Sequence, residues 1–585
     1  MTIQGGHGLF GESGLVSCNG YERWRMHWKH PNAPHYISAH GHANSDIKKA
    51  DGNRSFYLRD FVTFGDAIRI QLPYKDSPEA SNQYIWLENH QIGRNNKLDF
   101  LQFSNIPGRD CRPEGLPGIY AYYQVGRDVL SGPSNVVWFS EERDNLKIIS
   151  AEGYWNYSFQ EVDPYQYRCV NWQLHNYILE RLDANPFCGY QDQEKQIHPF
   201  PNDSIIKLAH EFPMWRKRIG INDIDSLPSS GDNRDAFSVH SKINMSTNPS
   251  TCNAKAYYNL MNDYITNYTA HAHRNNETTY LTGLSIEMIP QSNNTVFVNI
   301  RWDDYDITNS ANWTGKIALM EKAILKSGNN IHLKQNKTPA QFTRDAESGY
   351  FAKTSLFTCE PNSELFQEPN TTFIVDEKSK MLLKSGSKYT ISENADLTIK
   401  SGCTLEVEDC AILEIKGQLI VETGATIKFH SNAAIIMDTL SHIVYSGNVP
   451  VLIYPYVWVA PAPSAITGNV ILSQPMVSYS NISINAGATL TVTSSIKVGA
   501  KNNIIVHPGG KLVINGGTLT NACPGTMWQG ITVMGDSSQP ASQNYQGYVQ
   551  INNGEIENAI CGITVHGGGM VEATNAYFTN NLSSV

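Results

Sequence analysis

The chain is poor in charge and has no basic surplus. Charged residues make up 17% of its 585 residues, and 45 Lys and Arg face 55 Asp and Glu, for a formal net charge of −10. No positive field is available to attract phosphate backbones, which excludes nucleic acid as a partner. Long apolar runs are also missing. The longest, VPVLIYPYVWVAPAP from Val449 to Pro463, is broken by prolines and falls short of the roughly 18 apolar residues of a spanning helix. The ten cysteines are scattered without a C-x-x-C pair, which removes zinc-ribbon and thioredoxin-type readings. Their even number permits disulfides without assigning them. The opening MTIQGGHGLFGESG has neither the basic n-region nor the apolar h-region of a secretory signal peptide.

A zincin motif is absent as well. Such a site needs two His one helical turn apart, so that both imidazoles face one Zn²⁺ while the intervening Glu activates water. Among the 18 histidines the only His-Glu pair is His210-Glu211. Met214 stands where the second His belongs, and Pro213 would break the helix between them.

What is present points to β-structure. Hydrophobic residues reach 41% and aromatics 10%, which is incompatible with disorder. Abundant Asn, Ser, Thr, Gly and Tyr suit a secreted β-rich protein. Residues 1–200 mix aromatic strands with Gly/Pro/Asn loops. FYLRDFV and DAIRIQL predict two strands around the turn Thr63-Phe64-Gly65, and IWL, IYAYYQV and VVWF continue the pattern. Leu174, Tyr177, Ile178 and Leu182 predict a helix over Gln173–Leu182. In residues 201–350, TYLTGLSIEMI and NTVFVNIRW alternate as in an antiparallel sandwich or barrel. Ala254–His271 reads equally as a helix or a long insertion.

Residues 351–585 repeat. Gly, two residues, an aliphatic, one residue and an aliphatic or Phe recur as GCTLEV, GATIKF, GATLTV and, shifted by one Gly, PGGKLVI. Leu405 to Ile427 and Leu490 to Leu512 are each 22 residues, and Ile427 to Leu490 is 63, or three turns of 21. A fixed period with short strands and Gly corners predicts a parallel β-helix, in which stacked rungs share one core. Right-handed crossovers are the default for such connections. Residues 437–470 interrupt the pattern, either as a rung insertion or as a boundary between two segments. The chain stops at AYFTNNLSSV in mid-rung, without a polar cap, so the natural protein is expected to continue past Val585.

Several segments carry a resemblance. NGYERWRMHW, RDFVTFGDAIRIQLP, IWLENHQ and PGIYAYYQVG follow one another in the order seen in the C-terminal half of the immune-inhibitor-A-like metallopeptidase domain. GHGLFG (Gly6–Gly11) lies where that family has a Met-containing segment, with His7 and Phe10 in place of its Trp and Met. SGDNRDAF, NMSTNPS and TGLSIEMI resemble the sandwich that follows the peptidase domain in the same family. GGKLVINGGTLTNAC, MWQGITVMG and NNGEIENAICGI resemble the pectin-lyase-like solenoid repeats of large bacterial proteins exported by type IX secretion. The resemblance implies a partial zincin-like α+β domain (1–200), a β-sandwich (201–350) and a right-handed parallel β-helix (351–585). It places the zinc ligands upstream of Met1, so zinc belongs only to a complete parent and this chain is expected to be catalytically silent.

Four candidate sites remain. Glu88-Asn89-His90-Gln91 ends an apolar strand, either as a cleft wall or as a strand end satisfying loop N–H groups. Asp303, Asp304 and Asp306 are calcium candidates, since Ca²⁺ takes hard oxygen ligands, although EF-hand spacing is lacking. His35, His40 and His42 share a loop, and His271 and His273 read as surface. In the solenoid, Trp528 reads as the packing of a rung corner, and over residues 481–533 no carboxylate pair supports lyase or hydrolase chemistry. The expected protein is a secreted or cell-surface bacterial scaffold, a fragment of a metallopeptidase-like parent, with an extracellular protein or polysaccharide as partner. Its rivals are a pure adhesion protein and a carbohydrate-active β-helix enzyme.

Overall fold

The computed structural model describes residues 19–73, 83–91, 117–125, 145–149, 151, 155–161, 177–184, 205–207, 236–252, 278–334, 354–430, 432–437, 439–447, 451–452, 458–459 and 463–585. The chain is mostly β, with two short α-helices, Gly20–Arg25 and Phe61–Phe64, among the described residues. Contacts divide it into two units: residues 1–359 with 363–381 and 398–404, and residues 360–362 and 382–397 with 405–585.

In the first unit, two sheets face each other across one apolar core. One sheet runs in the order Asp46–Ile47, Ala67–Gln71, Gln83–His90, Gly118–Val125, Asn145–Ile149. The other is antiparallel, in the order Ser241–Ile243, Ser285–Pro290, Val296–Arg301, Arg54–Leu58. Ile68, Ile70, Ile85 and Leu87 from the first interdigitate with Phe56, Leu58, Ile286 and Val298 from the second. Each such buried side chain contributes about 1.5–3 kcal/mol. The antiparallel sheet thus takes strands from both regions the sequence had suggested were separate. FYLRDFV and DAIRIQL do not pair as a hairpin either. Arg54–Leu58 pairs with Val296–Arg301, and Ala67–Gln71 pairs with Gln83–His90. The intervening turn is one helical turn, capped by Asp60 accepting from Thr63 N at 2.9 Å and stopped by Gly65 at φ +72°.

The helix expected over Gln173–Leu182 is corrected. Tyr177–Ala184 is a strand between Trp155–Glu161 and Ile205–Lys207, all antiparallel. YILERLDA carries enough β-branched and aromatic character for the partners on either side to override a weak 3.6-residue pattern. VVWF, Ala254–His271 and His210–Met214 lie outside the described residues.

The repeats form a parallel β-helix of the right-handed type. Strands from 279 to 459 make three parallel sheets of seven, seven and six strands. Parallel pairing is already present at Thr279–Leu281 with Lys316–Leu319, well before residue 351. Residues 463–585 build three further sheets of five strands each. Strand burial alternates: in Thr404–Val407 and Thr426–Phe429, Leu405, Val407, Ile427 and Phe429 point inward. Gly402, Gly424, Gly487 and Gly509 of the recurring motif all sit at positive φ, from +76° to +85°, at the corners. Asn362, Asn370 and Asn394 fill other positive-φ turns. Gly530 is stricter still, because a Cβ there would lie 1.5 Å from the Cys561 carbonyl oxygen.

The interruption near 437–470 is a boundary between stacks. Trp458–Val459 ends the earlier sheets, and Ala465–Ile466 opens the new ones. Leu490 pairs directly with Leu512, as the 22-residue period implies. The 63-residue spacing is a coincidence: Ile427 pairs with Leu452 in the earlier stack, and Leu490 pairs with Val470 in the later one.

Within the second unit the two stacks meet laterally. Ile412, Ala434 and Ile436 on the outer face of one pack against Val477, Tyr479 and Ala522 of the other. Beside this seam Cys410 and Cys523 form a disulfide. Cys252 is a buried thiol whose pKa burial pushes up to about 12, so it is inert as a nucleophile.

Candidate functional site

Glu88 to Gln91 turn inward. Tyr84, Trp86, Glu88 and His90 lie on the sheet face opposite the core described above, beneath the helix Gly20–Arg25. Glu88 is fully buried. Its Oε1 accepts from Gly20 N at 2.5 Å and its Oε2 lies 3.1 Å from His90 Nε2. Asn89 donates to the carbonyls of Leu58 (2.8 Å) and Asn294 (3.0 Å). Gln91 N donates to Asp60 at 3.0 Å, and its side chain donates to Asn89 at 2.7 Å. These contacts make the segment a strand end that satisfies loop backbone rather than an open cleft wall. On the same face Arg69 pairs with Asp46, and its guanidinium stacks on Trp24 at 4.1 Å and on Tyr84 at 4.4 Å.

The carboxylates of Asp303 and Asp304 are taken by different cations, and Asn244 Nδ2 spans Asp304 and the Asp306 main chain, 3.4 Å from each. Arg301 grips Asp303 in a two-point fork, at 3.0 and 3.2 Å, and that hydrogen bonding holds the carboxyl below its usual range. Asp304 pairs with Lys242 at 2.7 Å. Asp306 offers its main-chain oxygen to Asn244 at 3.4 Å. His35 accepts from Ile37 N, His40 bridges to Tyr57 and His42 stacks on Phe56. Among the described residues no group of three or more His, Cys, Asp or Glu is placed to hold a metal ion. His271 and His273 lie outside the described residues. Trp528 is fully buried at a coil corner, donating to the Glu557 carbonyl at 2.9 Å.

An open concavity lies elsewhere in the first unit. A cleft of about 730 Å³ runs between the loop 244–250 and the first coils of the solenoid. That volume is in the range of small-ligand pockets. One wall is the outward face of three paired strands, where Asn312 faces His332 and His332 faces Ile374 across successive coils. Beside this row Asn330 accepts from Thr372 N at 3.1 Å, and Ser310 accepts from Asn330 N at 2.9 Å. The other wall is NMSTNPS, organised by the buried Asn244. Its Oδ1 accepts from Ser246 N and Ser246 Oγ, both at 2.8 Å, and its main chain engages Thr247. Ser246 in turn accepts from Thr308 N at 3.3 Å, which ties the loop to the first coil.

Charge in the cleft is internally matched. Lys242 is held by Asp304, and His332 Nε2 lies 2.9 Å from Asp376 Oδ2. Burial works to raise the Asp376 carboxyl, but the Glu377 N–H and His332 outweigh it and hold it below the usual range. Asn312 is half-buried and lines the cleft, and its side-chain amide has no hydrogen-bond partner among the described residues. Sequence reasoning singled out NMSTNPS but not Asn312, Asn330 or His332, which look like ordinary outward positions of a coil until the loop is seen opposite them. No protein-family model, curated protein or solved structure matches the chain.

Proposed function

We propose that this chain works as a non-catalytic binding scaffold outside the cell, secreted or held at a bacterial cell surface. The observation that carries the reading is the pair of coil stacks clasped through Cys410–Cys523. A structural disulfide across a coil seam belongs to an oxidising compartment, and stacked coils give a stiff, extended display surface. Inter-coil pairs such as Lys326–Glu368 and Lys384–Glu360 match the outer charge within the fold. We place the scaffold in a metallopeptidase-like parent of the immune-inhibitor-A type with type IX export. The ordered segments NGYERWRMHW, IWLENHQ and NMSTNPS support that placement, and the zinc chemistry belongs to the parent. Elemental analysis of the purified 585-residue chain beside a casein-cleavage assay tests the reading. Neither zinc nor cleavage is expected; stoichiometric zinc with chelator-sensitive cleavage would overturn it.

A further inference from the structure

The geometry points to the cleft between loop 244–250 and the first coils as a binding site for a neutral oligosaccharide, a proposal that rests on the scaffold reading above and names its ligand class. Three features of the cleft select this chemistry. Its basic side chains are already engaged, Lys242 by Asp304 at 2.7 Å and the His332 imidazole by Asp376 at 2.9 Å. An anionic ligand would have to share or break those pairs and approach Asp304 and Asp376, whereas a neutral one leaves both intact. The remaining polar lining is amide and hydroxyl, from residues such as Asn248, Asn312, Ser241 and Ser310. A side-chain amide both donates and accepts, which matches the paired hydroxyls of a sugar ring. Asn312 brings an amide with no partner among the described residues, so a ligand hydroxyl completes it without displacing a protein contact.

The third feature is rigidity of the right kind. At the centre of the solenoid wall Asn330–Leu333 presents side chains rather than a strand edge, because it is hydrogen-bonded on both sides, to Ala311–Trp313 and to Thr372–Val375. An extended peptide therefore finds no edge at Asn330–Leu333, and among the described residues of this wall the only edge it could extend is the outermost strand, Ala311–Trp313, which the peptide probe below tests. The facing loop is fixed by Asn244 and Ser246, so both walls hold their positions before a ligand arrives. Ile374 and Phe237 supply apolar lining for the C–H face of a sugar.

The test titrates the full chain with neutral hexasaccharides of glucose, mannose and N-acetylglucosamine, with a galacturonate hexamer and with an uncharged Gly/Ser heptapeptide, read by calorimetry. At least one neutral hexasaccharide is expected to bind, and Asn312→Ala is expected to weaken it at least ten-fold with far-UV circular dichroism and melting unchanged. Ser310→Ala is a second variant, expected to weaken the same ligand. Binding equal in wild type and both variants, equal or tighter binding of the galacturonate or the peptide, or no binding of any neutral probe would each overturn the assignment. The last result leaves the scaffold reading in place, since that depends on zinc content and cleavage.

Discussion

Cys410 and Cys523 stand 113 residues apart in the chain and 5.3 Å apart at Cα, bridging a corner of one coil stack to a strand end of the other. Beside them Ile412 and Ile436 meet Val477 and Ala522, so the covalent and apolar contacts of the seam reinforce each other. Closing a loop of this length restricts the unfolded chain strongly, typically by about 2–5 kcal/mol. Replacing Cys410 with Ser, or adding reductant, is expected to lower the urea midpoint of the later coils, with a loss of unfolding free energy in that range. An unchanged midpoint under reducing conditions would show that the bridge does not hold the seam.

Glu88 supports a different part of the molecule. With its carboxylate buried against Gly20 N and His90, truncation leaves a donor and an imidazole without their acceptor. Glu88→Ala is expected to destabilise the N-terminal sheets by about 3 kcal/mol, because a charge-assisted buried bond is lost. Glu88→Gln keeps the shape and one acceptor and should cost roughly half as much. Chemical denaturation followed by Trp fluorescence reads both; equal midpoints for the two variants would mean that packing alone, not the carboxylate, matters.

Glu414 gives the solenoid a measurable acid limit. Burial tends to raise its carboxyl, but Lys416 and Lys388, each 3.0 Å away, outweigh burial and hold it below the ordinary value of 4.5. A carboxylate depressed on folding adds stability above its unfolded value and loses it as pH falls through the folded one. The double variant Lys388→Met with Lys416→Met should therefore melt below wild type at pH 7. The gap should close between pH 4.5 and lower values, as the wild-type carboxyl protonates. A gap that stays constant from pH 7 to strong acid would assign it to lost side-chain packing instead.

The legible parts of the fold were the local ones. Gly402, Gly424, Gly487 and Gly509 announced coil corners because few other residues accept their backbone angles. The register of Leu490 on Leu512 followed from the period alone. The first coil was hidden because its strands, Thr279–Leu281, Asp306–Ile307 and Ala311–Trp313, are short and split by the excursion of Ser285–Arg301 into the antiparallel sheet. Tyr177–Ala184 was misread because two neighbouring strands, distant in sequence, decide its conformation. The cleft left no local signal, since its lining runs from Ala151 to Ile374 and no short window contains it. Glu88–Gln91 was visible as unusual, but its role depends on Gly20, Leu58, Asp60 and Asn294.

The bridge also decides how the protein bears a load. Tension entering the backbone before Cys410 and leaving after Cys523 crosses the sulfur–sulfur bond and bypasses the coils between them. That sequence separation of 113 would otherwise give roughly 380 Å of slack at full extension. In a pulled molecule this segment is thus held at a short fixed length while oxidised, and its reach becomes available only once the bond is cut.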